Sequence, residues 1–155
     1  MISPELLRRF PFFGLYSEDQ IKDIALISEE VSLPKDAVIF EECQPAVTLY
    51  LLLEGGVDLY FTSKEEYHPK SSKEFSAGEI NPGELFAISA LIEPYVLGAS
   101  ARISQPARLI QIDAVELRKL MDANPAFGYL TMKQMIKVLM ERLATTRVQL
   151  GAAWA

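Results

Sequence analysis

An α+β fold centred on an antiparallel β-roll follows from three observations on this sequence. Helical periodicity occupies both ends of the chain. The middle, from about residue 28 to residue 113, breaks into short apolar runs that alternate with polar residues. Clusters of Gly, Pro and Asn separate those runs. Strands gathered between helices, instead of alternating with them, exclude a βαβ architecture. About eight strands are expected, closed as a jelly-roll-like roll without exposed edges. The whole chain, 1–155, reads as one domain, with N-terminal helices before the roll and C-terminal helices over about 114–150.

The first helix opens with Ser3 as cap and Pro4 at its first position, and sets Leu6, Leu7 and Phe10 on one face. Phe12-Phe13-Gly14-Leu15 interrupts it. Ser17 and Gln20 have capping-box spacing, and Ile21, Ile24 and Ala25 supply the second helix with its apolar stripe. From about Glu30 the period falls to two: Val31 and Leu33 alternate, Pro34-Lys35-Asp36 turns, and Val38-Ile39-Phe40 forms a strand. Residues 49–53 and 57–61 flank Gly55-Gly56 and read as a hairpin. Residues 63–73, rich in Lys, Glu and Ser, read as an exposed loop. Strands resume near Phe75 and Ile80, and Asn81-Pro82-Gly83 turns the chain. A short helical turn is expected within 86–92, and 96–104 and 109–112 are the last strands.

Asp113 and Glu116 have the spacing of a second capping box, followed by Val115, Leu117, Leu120 and Met121 as an apolar side. Asn124-Pro125 ends this helix and starts a longer one. There Met132, Ile136, Leu139, Leu143, Thr146 and Leu150 recur at spacings of 4, 3, 4, 3 and 4, an a/d seam. A second stripe, Phe127, Leu130, Met135, Val138 and Arg142, is free to lie against the roll. Two apolar stripes exceed what packing on one surface requires, so the seam predicts a homodimer through this helix.

Composition narrows the function. Half the residues are hydrophobic and 23% are charged, as in an ordered globular protein. A net charge of −6, with Lys and Arg dispersed, opposes a phosphate backbone, so direct nucleic-acid binding is not expected. Cys43 is the single cysteine, and the first residues carry no apolar signal core. No run reaches the ~18 apolar residues of a membrane span. A cytoplasmic protein without membrane contact is expected. His68, between Tyr67 and Pro69, lacks metal-site spacing. No nucleophile–base pair, phosphate-cradling loop or carboxylate dyad stands out, so neither enzymatic activity nor a cofactor is expected.

Several segments, taken in order, carry a family resemblance. They are Leu7-Arg8-Arg9-Phe10-Pro11-Phe12-Phe13, Leu33-Pro34-Lys35-Asp36-Ala37-Val38-Ile39-Phe40, and Leu49 through Glu54-Gly55-Gly56-Val57. Pro82-Gly83-Glu84-Leu85-Phe86 and Ala107-Arg108-Leu109-Ile110-Gln111-Ile112-Asp113 follow. Over about residues 6–143 the chain resembles the cyclic-nucleotide-binding fold of the catabolite activator protein and the kinase regulatory subunits. In that family a Phe-Gly-Glu-Leu-Ala segment sets its glutamate on the ribose hydroxyl. An Arg-Ser/Thr-Ala segment some nine residues later grips the cyclic phosphate. A forked cation suits a buried anion, and a carboxylate suits a hydroxyl.

The matching segments here are Phe86-Ala87-Ile88-Ser89-Ala90 and Leu97-Gly98-Ala99, which are the expected pocket residues. Ile88 holds the glutamate position and Leu97 the arginine position. Losing two charge-assisted bonds forfeits about 3–6 kcal/mol, or roughly two to four orders of magnitude in affinity. Arg102 is no replacement: five residues along a strand it faces the other way, about 16 Å off. A cyclic nucleotide is therefore possible but disfavoured as ligand. Ile88 and Leu97 either line an apolar effector pocket or fill the vacated volume. Ser89 and Ser100 either meet a ligand or are satisfied by backbone. Cys43 replaces the glycine of the family's Glu-Gly-Asp-Pro-Ala turn and is expected as a partly buried, inert thiol.

In the activator proteins the last helix links two subunits and continues into a DNA-binding helix-turn-helix. The sequence ends at Ala155, so that output module is not expected. The resemblance implies a regulatory or sensor domain for a non-standard small effector or a protein partner. A cyclic-nucleotide receptor with a modified cassette, and an interaction module with a collapsed pocket, are the alternatives.

Overall fold

Ser17 caps the second helix through the expected reciprocal pair: its hydroxyl accepts from the Gln20 N–H (3.2 Å), and its own N–H donates to Gln20 Oε1 (2.9 Å). That helix, α2 (Glu18–Leu26), follows α1 (Pro4–Arg8) and a 3-10 turn over Pro11–Phe13. Leu7, Phe13, Ile21 and Ile24 are buried, so the short N-terminal elements hold together by apolar contact with the roll. The computed structural model describes residues 1–65 and 68–155, and the side chains of all of these except 63–72.

The strands are β1 (Ser28–Leu33), β2 (Val38–Phe40), β3 (Thr48–Glu65), β4 (His68–Ile80), β5 (Leu85–Phe86) and β6 (Ser100–Asp113). Every pairing is antiparallel. β6 lies between β3 on one side and β1 and β2 on the other; β3 takes β4 and β5 on its far side. β3 and β6 form the centre of the sheet, and Leu49, Leu51, Leu52, Ile103, Leu109 and Ile110 are almost fully buried, adjacent residues included, so both faces of the strands are covered there. The roll occupies 28–113 as expected. Among the described residues it has six strands instead of eight, because β3 and β6 are each continuous where two strands were expected. It also stays open: β1 and β4 are edges, and β1 carries Glu29 and Glu30, charges that discourage edge pairing.

The expected hairpin at Gly55-Gly56 is absent. β3 runs straight through, and its register against β6 shifts three times between Leu52 and Val57. A Cβ on Gly55, whose φ is +93°, would lie 2.3 Å from the Pro106 carbonyl oxygen. The glycines therefore permit a close strand crossing and a bulge. The segment 63–73, expected as a loop, is strand on both sides, with Thr62 opposite Glu74 and Ser63 opposite Lys73. Glu66 and Tyr67, also in that expected loop, lie outside the described residues. Val96 is not in a strand and makes only an isolated bridge to Pro45.

The C-terminal helices are α3 (Ala114–Ala123) and α4 (Pro125–Trp154). Asp113 Oδ1 accepts from the Glu116 N–H (3.1 Å), but Glu116 turns to Lys119 (2.9 Å), so only half of the capping box forms. Asn124 caps α4 by accepting from the Phe127 N–H (3.2 Å). The inward stripe docks as expected, with Phe127 and Met135 buried and Leu130 and Val138 against the core. Two polar contacts fix its register. The Tyr16 hydroxyl donates to Thr131 Oγ1 (2.9 Å), and Gln134 Nε2 donates to the Phe12 carbonyl (2.9 Å). Burial pushes the Tyr16 phenol up to about 12, against the opposing pull of its hydrogen bond to Thr131.

Candidate functional site

β5 delivers the chain into the cassette. Leu85 and Phe86 are buried, and Ala87 takes a left-handed conformation (φ 63°, ψ 40°) that turns the backbone into a 3-10 turn at Ile88–Leu91. After a cis Glu93–Pro94 peptide, Leu97 is held on both sides of its backbone. Its N–H donates to the Gln44 carbonyl (2.9 Å), and its carbonyl accepts from the Cys43 N–H (2.8 Å). These bonds fasten the second cassette segment to the Cys43-Gln44 turn.

Between the two cassette segments lies a cavity of about 350 Å³. Six of the eight expected pocket residues line it: Ala87, Ile88, Ser89, Leu97, Gly98 and Ala99. Phe86 and Ala90 do not; both are fully buried behind the wall, where Phe86 stacks on Tyr50 at 5.2 Å. Phe40, Leu59 and Ile92 complete the roll side of the cavity, and α4 adds Leu139 and Arg142. Ile88 and Leu97 are core residues that also border the cavity: they are 8% and 6% exposed, yet space remains beside them. Ser100 is not in the cavity: its hydroxyl accepts from the Glu42 N–H (2.9 Å), which satisfies it with backbone.

The arginines nearby have different occupations. Arg102 pairs with Glu74 (2.5 Å) and lies over the Tyr60 ring at 4.5 Å, away from the cassette as expected. Arg118 donates to the Ala90 carbonyl (2.9 Å) and covers the Tyr95 ring at 3.7 Å, supporting the cassette from α3. Arg142 donates to the Leu85 carbonyl. Among the described residues it has no carboxylate within 4.0 Å. Burial lowers its pKa, and the more distant Glu84 opposes that shift. The sequence carried a signal for Arg142, since it is the one charge in the inward stripe of α4.

Cys43 corrects an expectation. It is exposed, with φ 67°, so the conformation that glycine serves in the family turn is kept here without glycine. The side chain of His68 lies outside the described residues, which contain no metal-type cluster of His, Cys, Asp and Glu. Along the seam, Ile136, Leu139, Leu143 and Leu150 are 56%, 49%, 49% and 57% exposed, and Thr146 is exposed. Met132 departs from the seam: it is partly buried against the domain's own core.

The cavity and its cassette sit in a β-roll, and comparison with known proteins agrees with that fold. The family model of the cyclic nucleotide-binding domain matches residues 30–124, and the chain belongs to that family. A solved protein from Geobacter metallireducens GS-15, designated cyclic nucleotide-binding, is 40% identical with a TM-score of 0.82. That likeness covers 92% of this chain and 99% of that one. The sensor domain of the transcriptional regulator DNR from Pseudomonas aeruginosa shares the fold at 20% identity and TM-score 0.69, over 90% of each chain. The Thermus thermophilus catabolite activator protein shares it at 23% identity and TM-score 0.67. Here the match takes in 92% of this chain but only 62% of that protein. No curated protein matches the sequence. The chain is thus a member of the cyclic nucleotide-binding domain family. Among the described residues, no helix is long and apolar enough to cross a membrane.

Proposed function

We propose that this chain is a non-enzymatic, cytoplasmic, homodimeric sensor whose cassette cavity takes a small effector other than a cyclic nucleotide. One observation carries the reading: the cavity remains open at about 350 Å³ while Ile88 and Leu97 form its wall where the family places glutamate and arginine. A collapsed pocket would suit a purely structural module, and a charged one would suit a nucleotide. An open one that is apolar at both cassette positions, with its charged wall residue, Arg142, on α4, matches neither pattern. The cavity volume sits near the lower end of small-molecule sites, which run from roughly 300 to 1,000 Å³. The exposed seam on α4 supports self-association, because identical a/d edges are complementary to a second copy. Direct contact with nucleic acid or membrane is not part of this reading, given the net charge of −6.

Calorimetry with cyclic AMP and cyclic GMP tests it. Both should bind no tighter than about 100 µM, from the two to four decades forfeited with the charged pair. The double variant Ile88→Glu with Leu97→Arg should gain measurable affinity for one of them. Low-micromolar binding to the unaltered protein would instead make the chain a cyclic-nucleotide receptor with a modified cassette.

A further inference from the structure

Arg142 is left without a role by an effector site that is otherwise apolar. It is the one charged side chain on the cavity wall among the described residues, set beside Leu139 on α4 and facing a space bounded by Ile88 and Leu97. Arg142 is partly buried, and its guanidinium donates to a single neutral acceptor, the Leu85 carbonyl. A guanidinium has five N–H donors; one is taken by that carbonyl, the others reach solvent, and no carboxylate lies within 4.0 Å of them among the described residues, so they are available to an anion. The lowered pKa of Arg142 comes from its burial.

We propose that Arg142 is the anion anchor of the cassette cavity, and that the effector is a compact apolar body bearing one carboxylate. This rests on reading the cavity as an effector site. In the family pattern the cation comes from the roll, at the position held here by Leu97; in this chain it comes from the helix that covers the roll. One cation balances one negative charge, and the planar fork of a guanidinium matches a carboxylate through two parallel bonds. The remaining walls offer hydrocarbon to the rest of the molecule and little to the hydroxyls of a ribose. Arg142 also borders a larger groove of about 1050 Å³ between α4 and the β3–β4 ribbon. That groove sets Asp58, Glu74, Glu79, Glu84 and Glu141 against Arg102 and Lys137, an acidic excess that disfavours an anion, whereas the cassette cavity has no carboxylate among its lining residues.

The test compares acids with their uncharged amides: benzoate against benzamide, phenylacetate against phenylacetamide, and hexanoate against hexanamide. Binding is read by ligand-observed NMR and calorimetry on the intact chain. At least one acid should bind about tenfold or more tightly than its amide, the equivalent of one charge-assisted bond. Arg142→Gln should erase that preference, and Arg142→Lys should keep part of it. Ala99→Leu, which narrows the cavity, should weaken acid and amide alike. Equal binding of acid and amide to the unaltered protein would overturn the anchor. So would a preference that survives Arg142→Gln. Either result would leave the effector cavity standing if Ala99→Leu still blocked binding. No binding of any probe at about 10 mM to the folded protein would overturn the anchor and the cavity reading together. If Arg142→Gln does not fold, the acid–amide comparison on the unaltered protein and on Arg142→Lys decides alone.

Discussion

Ala87 and Cys43 both hold left-handed backbone, at φ 63° and 67°, in the two turns that frame the cavity. Each occupies a position where the family pattern has glycine, and each holds a backbone conformation that glycine favours. For an L-residue with a Cβ this conformation costs roughly 1–2 kcal/mol, partly offset by the smaller entropy that alanine loses on folding. Ala87→Gly should therefore stabilise the fold by about 1 kcal/mol in urea unfolding, with the cavity unchanged in shape. No change or a loss would mean that the Ala87 methyl, which lines the cavity, contributes packing that outweighs the strain. At this scale the cassette was legible: eight positions followed from segment order, and six of them meet around one space. Leu139 and Arg142 were not assigned to it, because sequence spacing puts them on α4 but does not say which part of the roll α4 covers.

β3 is the element that sequence reasoning divided in two. A glycine pair between alternating apolar runs is the local signature of a hairpin turn, and also of a bulge that lets two strands cross closely. The choice is made by a distant partner. Here β6 passes so near that a Cβ on Gly55 would meet the Pro106 oxygen at 2.3 Å and Ala107 Cα at 2.8 Å. Gly55→Ala should cost more than about 2 kcal/mol of stability, since backbone atoms cannot rotate away and φ is positive. At Gly56 the nearest obstacle is the Ser104 hydroxyl at 2.5 Å, a side chain that can move, so Gly56→Ala should cost less. Urea midpoints of the two variants check the order, and a reversed order would reject the crossing as the reason for the glycines. The polar stretch after Thr62 was misread for a different cause. Residues 73–77 are exposed on both faces of the ribbon, and a ribbon without a buried face carries no alternation to detect.

For the molecule as a whole, α4 is a boundary with two apolar sides. Its inner stripe is spent on the roll; its outer seam presents Ile136, Leu143 and Leu150 about half exposed. Burying such side chains against a second copy stabilises by ~1.5–3 kcal/mol each before ordering costs. The loss of Met132 from the seam shortens the contact to 136–150. Ile136→Lys with Leu143→Glu spares the cavity and, in a parallel pair, sets each charge against its own copy. Sedimentation equilibrium should show a dimer converted to a folded monomer. An unaltered protein that is monomeric at tens of micromolar would reject the dimer, and a dimer surviving both changes would place the contact on the roll.

Leu139 belongs to both sides of that boundary, since it walls the cavity and is still 49% exposed along the seam. A side chain shared by two equilibria makes them one thermodynamic cycle. Whatever factor an occupied cavity adds to pairing, pairing must return to the affinity of the cavity. For the proposed dimer with the proposed effector site, the response threshold would then be set partly by the protein's own abundance: the same effector level would read differently in a cell that holds few copies and in one that holds many.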